Sequence, residues 1–167
     1  MIEKITKKIV FKIIKERFIN EVPFLKLLGI KVSKFNYPEV EMVLDWNNQL
    51  VGNVVQESLH GGVTATILDS LGGLVAIGNF ISTEKNLTAD YLKTRIGSMG
   101  TIDMRVDYLL PGRGTIFTAT GRVIRAGKRV TVCRMEMHND KNDCIALGTG
   151  SYLWSNKKGS ASKYNGL

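Results

Sequence analysis

The chain has 167 residues, 44 % of them hydrophobic, which suffices for one domain with a real core and little more. Its formal net charge of +8 favours partners that carry phosphate or carboxylate groups, because a positive field steers anions. The only cysteines, Cys133 and Cys144, form no Cys-x-x-Cys pair, and His60 and His138 are the only imidazoles. A disulfide framework and a zinc site are therefore not expected, and a reducing, cytoplasmic setting is.

Residues 1–21 read as an amphipathic helix. Ile5, Ile9, Ile13 and Phe18 recur near helical spacing over 3–20, and Lys4, Lys7, Lys8 and Lys12 interrupt them, so this is no signal-peptide core. Pro23 starts a short helical turn, Phe24 to Leu28, that Gly29 stops. Residues 30–36 and 39–46 read as two strands joined at Tyr37-Pro38. Residues 47–59 are loop-like. A long helical pattern then runs from Gly61 to about Phe80. Its most apolar stretch, Leu71 to Ile81, is short and carries Gly72, Gly73 and Gly78, so stable membrane insertion is not expected.

A polar insertion, 82–98, contains Thr88-Ala89-Asp90-Tyr91-Leu92, a candidate capped helix. From residue 99 the texture is that of strands. Ile102, Met104, Val106 and Tyr108 alternate with Thr101, Asp103, Arg105 and Asp107 until Pro111-Gly112-Arg113-Gly114 breaks the run. Strands follow at 115–126, 129–139 and 143–154, with turns at Ala126-Gly127-Lys128-Arg129 and Asn139-Asp140-Lys141-Asn142. The tail, 155–167, is rich in Ser, Lys, Asn and Gly and is expected to be flexible.

Strands joined by hairpins are antiparallel, and a helix apolar nearly all round must be buried. An antiparallel sheet wrapped around a long central helix, with an added N-terminal helix, meets both conditions. That is the α+β hotdog arrangement, with residues 22–154 as its domain.

Within the central helix Asp69 is the odd residue, since an ionised carboxylate between Leu68 and Leu71 is costly to bury. Its neighbours at three and four residues, Ala65, Thr66, Gly72 and Gly73, are all small, which predicts an empty volume beside the carboxylate. The alternative is that Asp69 bonds a neighbouring polar group and the glycines permit close helix–sheet packing. His60-Gly61-Gly62 opens the same helix, where unpaired N–H groups and the positive dipole end lie. Those N–H groups could hold an oxyanion, while His60 could equally be a plain helix cap. Gly61 and Asp69 are eight residues apart, or roughly 12 Å along the helix. One small reacting group cannot touch both on one chain, so a dimer with sites across its interface is expected.

The run His-Gly-Gly-Val-Thr-Ala-Thr-Ile-Leu-Asp, 60–69, resembles the signature of the PaaI-type hotdog thioesterases. With the run from Gly100 to Gly114 and with Arg125-Ala126-Gly127-Lys128, the pattern is most similar to the YigI-type medium- and long-chain acyl-CoA thioesterases, over roughly 22–154. The resemblance implies hydrolysis of an acyl-CoA to a free acid and coenzyme A. Asp69 would be the nucleophile or the general base, and the Gly61 N–H, near His60, would polarise the carbonyl. Thr101 would help hold the water, although strand parity groups it with Asp103 and Arg105. Many family members place an Asn six residues before the His, which here is Val54; Asn53 or Gln56 would supply that amide, and Asn53 is preferred. Gly62, Gly73 and Gly114 join the substrate contacts, and Arg113, Lys128 and Arg129 would meet the phosphates of coenzyme A. Each of those three could instead be a solvated surface charge. No cofactor is implied, since coenzyme A is part of the substrate.

Other readings are a non-catalytic acyl-CoA or acyl-lipid binding protein on the same fold, and a hotdog dehydratase or hydratase using His60. No nucleic-acid-binding signature accompanies the charge, so no nucleic-acid partner is expected. The expected assembly is a homodimer or a dimer of dimers.

Overall fold

The computed structural model describes residues 2–16, 21–85 and 87–155. Two helices, α1 (Ile2–Ile14) and α2 (Pro23–Leu28), precede the hairpin β1 (Ile30–Asn36) and β2 (Glu39–Asp45). A small hairpin, β3 (Val51–Asn53) and β4 (Ser58–Leu59), leads into α3 (Gly61–Thr83). Helix α4 (Ala89–Gly97) and strands β5 (Met99–Tyr108), β6 (Ile116–Ala126), β7 (Val130–Asn139) and β8 (Cys144–Trp154) complete the order. The six long strands form one antiparallel sheet in the order β1-β2-β6-β7-β8-β5. The sheet curls around α3, so the hotdog architecture expected from the sequence is the one observed.

Pro23 opens α2, where a missing N–H costs nothing, and Gly29 ends it at φ 75°, taking up two free carbonyls. The Tyr37-Pro38 bond between β1 and β2 is cis. Thr88 caps α4 through its side-chain oxygen to the Tyr91 N–H. That helix runs to Gly97, longer than the capped turn read from the sequence.

Helix α3 is 23 residues long and runs unbroken through Gly72, Gly73 and Gly78. By length and composition it could cross a membrane, but 67 % of its most apolar window is buried within the domain. Ile67, Leu68, Leu71, Val75, Ala76 and Ile81 are fully excluded from solvent. Each such Leu or Ile contributes about 1.5–3 kcal/mol on burial. The sheet supplies the other half of this core through Met42, Phe117, Ala119, Met135, Met137 and Tyr152.

The face of α1 differs from the expected one. Ile9 and Ile13 are about half exposed in the single chain (53 % and 51 %), while Phe11 and Ile14 are buried. Phe11 stacks edge-on against Phe35 with ring centroids 5.0 Å apart. Apolar residues lie on several sides of this helix, and the larger aromatic body takes the core. Residues 17–20, including Phe18, and the tail from 156 lie outside the described residues.

Gly72 is filled space rather than the empty volume expected beside Asp69. A Cβ there would run into the Tyr152 hydroxyl, 2.6 Å from ring carbon Cζ and 2.9 Å from the Met135 sulfur. The Tyr152 ring is buried and its hydroxyl donates to the Asp69 backbone carbonyl at 3.0 Å. Close helix–sheet packing is therefore what this glycine permits. Gly72→Ala should lower stability by about 1–3 kcal/mol from overpacking, despite a gain in helix propensity of up to about 1 kcal/mol. Adding Tyr152→Phe, which removes the clashing oxygen, should recover part of that loss in thermal unfolding.

Candidate active site

The start of α3 is braced from three directions. The His60 N–H donates to the Leu50 carbonyl at 2.8 Å, tying the helix start to the β3 side. Gly52 lies so close that a Cβ would stand 2.5 Å from the His60 Cα. On the other side the Leu59 N–H donates to the Gly112 carbonyl at 3.0 Å.

His60 is the helix cap: its Nδ1 accepts the Gly62 N–H at 2.9 Å. The Val63 N–H donates to the His60 carbonyl. Among the described residues no acceptor meets the Gly61 N–H. The capping that occupies Gly62 thus leaves Gly61 as the open donor at the positive end of a long helix. This is what an oxyanion hole requires: a fixed N–H that needs no reorganisation.

Tyr108 meets the helix start at this point. The Tyr108 hydroxyl donates to the Gly61 carbonyl at 2.8 Å, and its ring faces the Gly61 Cα. A cleft of about 370 Å³ opens here, lined by Gln56, Gly61, Thr64, Tyr108, Pro111 and Gly112. Tyr108 was legible only as the last apolar member of an alternating run, and nothing in that pattern predicts its hydroxyl bond across 47 residues.

Asn53 is the exposed last residue of β3, paired with Ser58 at the head of the turn to β4. Its Oδ1 accepts the Val55 and Gln56 N–H groups at 3.1 and 3.0 Å. Its carbonyl oxygen therefore shapes the turn that carries Gln56 into the cleft. Arg113 holds the same turn, its Nε donating to the Gln56 carbonyl at 2.7 Å. Gly114, at φ 153°, follows it and packs against Asp140. A second, wider groove of about 840 Å³ continues past Gln56 along Val54, Val55, Arg113 and Thr115.

Asp69 is half-buried two turns further along α3. The Thr101 hydroxyl donates to its Oδ1 at 2.9 Å. Simple alternation would have turned Thr101 outward with Asp103 and Arg105. A bulge reverses it: Thr101 pairs with Tyr152 and Asp103 with Ser151, leaving Ile102 as the extra residue. Ile102 is consequently 56 % exposed, while Met99 and Thr101 turn toward α3. Gly73 is buried here, with the Met99 methyl 3.3 Å from where its Cβ would be. Burial, helped by the nearby Asp69 charge, pushes the Tyr152 phenol well above its ordinary range. Tyr152 therefore stays a hydroxyl donor and fixes the helix backbone at Asp69.

One chain thus carries two separated half-sites, Asp69 with Thr101 and the Gly61 cleft with Tyr108, Gln56 and Arg113. Lys128 and Arg129 lie at the β6–β7 hairpin, where the Arg129 carbonyl accepts the Trp154 N–H at 2.7 Å. Arg113 precedes the other end of β6, roughly 30 Å away along an 11-residue strand. The hairpin pair therefore belongs to the Asp69 end, and one chain does not bring the three basic residues together.

The Thioesterase superfamily model matches residues 56–146, which span both half-sites. The medium/long-chain acyl-CoA thioesterases YigI of Salmonella typhimurium and Escherichia coli are each 39 % identical over 149 residues, covering 89 % of this chain and 96 % of theirs. A Shewanella oneidensis crystal structure related to the thioesterase superfamily is 46 % identical with a TM-score of 0.82, covering 92 % of this chain and 98 % of that one. The Escherichia coli PaaI structure, at 21 % identity and a TM-score of 0.66 over 83 % of this chain and 88 % of its own, shares the fold. On both the matched segment and the extent of these relatives, the chain belongs to the thioesterase superfamily.

Proposed function

We propose that this enzyme hydrolyses medium- and long-chain acyl-CoA thioesters to the free acid and coenzyme A, in the cytoplasm and without a cofactor. The observation that carries the reading is the pair of complementary half-sites on α3: a carboxylate held by Thr101 and an open N–H at Gly61. The relatives' activity and the excess of basic residues support the same substrate.

In this mechanism the thioester oxygen lies against the Gly61 N–H, and negative charge grows there as the carbonyl is attacked. Asp69 delivers the attack, either directly, forming an acyl anhydride that water then hydrolyses, or by taking a proton from an attacking water. In both routes the carbon–sulfur bond breaks and coenzyme A leaves as a thiolate that is then protonated. Thr101 orients the carboxylate through Oδ1, which leaves Oδ2 for the reacting group. Tyr108 positions Gly61 by holding its carbonyl. Gln56 supplies the amide at the cleft, and Asn53 acts through the turn that presents it. Coenzyme A would run along the groove beside Arg113, with its phosphates reached by Lys128 and Arg129 of a second subunit.

The second subunit follows from the separation of the half-sites. β5 is an edge strand ten residues long, exposed along much of its length. Such an edge invites pairing. Antiparallel pairing of β5 with its copy about the strand centre sets Thr101 opposite the copy's Val106, two residues from the copy's Tyr108 on the same face. Asp69 of one chain then faces the Gly61 start of the other, in a homodimer with two equivalent sites.

Asp69→Asn should lower kcat by about 10²–10⁴, the range of general acid–base catalysis, with the fold intact by circular dichroism. Gly61→Pro is the matching test of the donor. Proline is at home in the first position of a helix, so the substitution removes the N–H without breaking α3, although its Cβ would stand 3.3 Å from the Tyr108 ring. It should cost about 10²–10³ in kcat. Mixing the two inactive proteins should regenerate activity, approaching about one quarter of wild type if subunits exchange freely in a dimer. No recovery after proven exchange would show that each chain works alone.

Tyr108→Phe tests positioning at the helix start. It should lower kcat by roughly 10-fold for one lost hydrogen bond, with KM changed little.

A further inference from the structure

The β7–β8 hairpin carries a cluster that hydrolysis does not use. Glu136, His138 and Cys144 offer a carboxylate oxygen, a ring nitrogen and a sulfur that all lie within 4.8 Å of one another. His138 Nε2 stands 3.8 Å from Glu136 Oε2.

Strand geometry explains why these three meet. Glu136 and His138 are two residues apart on β7 and share a face. It is the face away from α3, since Cys133, Met135 and Met137 of opposite parity are fully buried. Cys144 joins them through a bulge. Met137 pairs with Ala146 but His138 pairs with Cys144, so β8 carries Ile145 as an extra residue. Ile145 and Ala146 are both buried, and Cys144 is turned to the outer face opposite His138. Without the bulge Cys144 would share the inward parity of Ala146.

The connecting turn is held rigid by Asn139. Its Oδ1 accepts the Lys141 and Asp143 N–H groups at 3.0 and 2.9 Å, and its amide donates to the Arg113 carbonyl at 3.0 Å. The two strands therefore present their side chains in a fixed register.

A thiolate, an imidazole and a carboxylate together suit a borderline-soft divalent ion. Tetrahedral zinc with bonds of about 2.0–2.3 Å sets its ligand atoms roughly 3.3–3.8 Å apart, within reach by small side-chain rotations. Burial and the Glu136 charge raise the Cys144 thiol above its ordinary range. The Arg134 guanidinium, which donates to the Thr149 hydroxyl at 2.8 Å, is near enough to Cys144 to oppose that shift.

We propose that Glu136, His138 and Cys144 form a zinc-class metal site on the outer face of the sheet, with water completing the tetrahedron. One imidazole suffices because the hairpin supplies the sulfur and the oxygen. The ion releases the Cys144 proton, ties β7 to β8 and lies across the sheet from the α3 chemistry, so it stabilises the fold and takes no part in hydrolysis.

The test is cobalt(II) titration of the full-length, reduced protein freed of metal. One equivalent should produce thiolate-to-cobalt charge-transfer absorption with tetrahedral d–d bands, and zinc should displace both. Zinc should also raise the melting temperature of the wild type. Cys144→Ser and His138→Ala should each lose the charge-transfer band and the zinc-dependent melting shift. Both side chains are only partly buried, so these variants should fold, and their metal-free melting curves report it. A wild type without the band, or a band that survives in Cys144→Ser, would overturn the proposal.

Discussion

Helix α3 has no polar face wide enough to meet water, and the burial of that one helix dictates the arrangement around it. Six strands close over it because an antiparallel sheet can offer one apolar face to the helix and one polar face to solvent. Tyr152, Met135 and Phe117 fill the inner face, and Gly72 lets Tyr152 come against the helix backbone. The same burial positions the chemistry. Once α3 is fixed in the sheet, its N-terminus must emerge beside the loop 109–115 and its middle beside the edge strand β5.

Asp69 survives in this setting because it sits where the wrapping is incomplete. β5 is the last strand of the sheet, and the helix face beside it is only half covered within one chain. The carboxylate keeps one oxygen on Thr101 and leaves the other open. The helix backbone beneath it is pinned by Tyr152, whose buried phenol keeps its proton and donates it to the Asp69 carbonyl. An acid placed one turn deeper, among Leu74, Val75 and Ala76, would have neither solvent nor partner.

Bulges do as much for the chemistry as the regular pairing does. One in β5 turns Thr101 inward to Asp69, and one in β8 turns Cys144 outward to His138. Each inserts a single residue and reverses the facing of everything on one side of it. Both sit next to side chains of functional interest, where a strict two-residue period would have aimed the wrong group.

The residues themselves determined the broad result. The apolar helix, the hairpin turns and the strand-like tail of the chain specify a sheet around a central helix, because burial and periodicity are properties of the local sequence. The pairing of an acid with a glycine-rich helix start is legible for the same reason: both are anomalies within one continuous pattern. The eight-residue spacing even separates them into different half-sites. Only the tertiary structure decided which Gly61–Gly62 N–H stays open, because His60 claims the second. It alone placed Tyr108 on Gly61, filled the space at Gly72, turned Ile9 and Ile13 outward, and joined His138 to Cys144. These contacts cross long stretches of chain or depend on a one-residue shift of register, and neither leaves a periodic trace in the sequence.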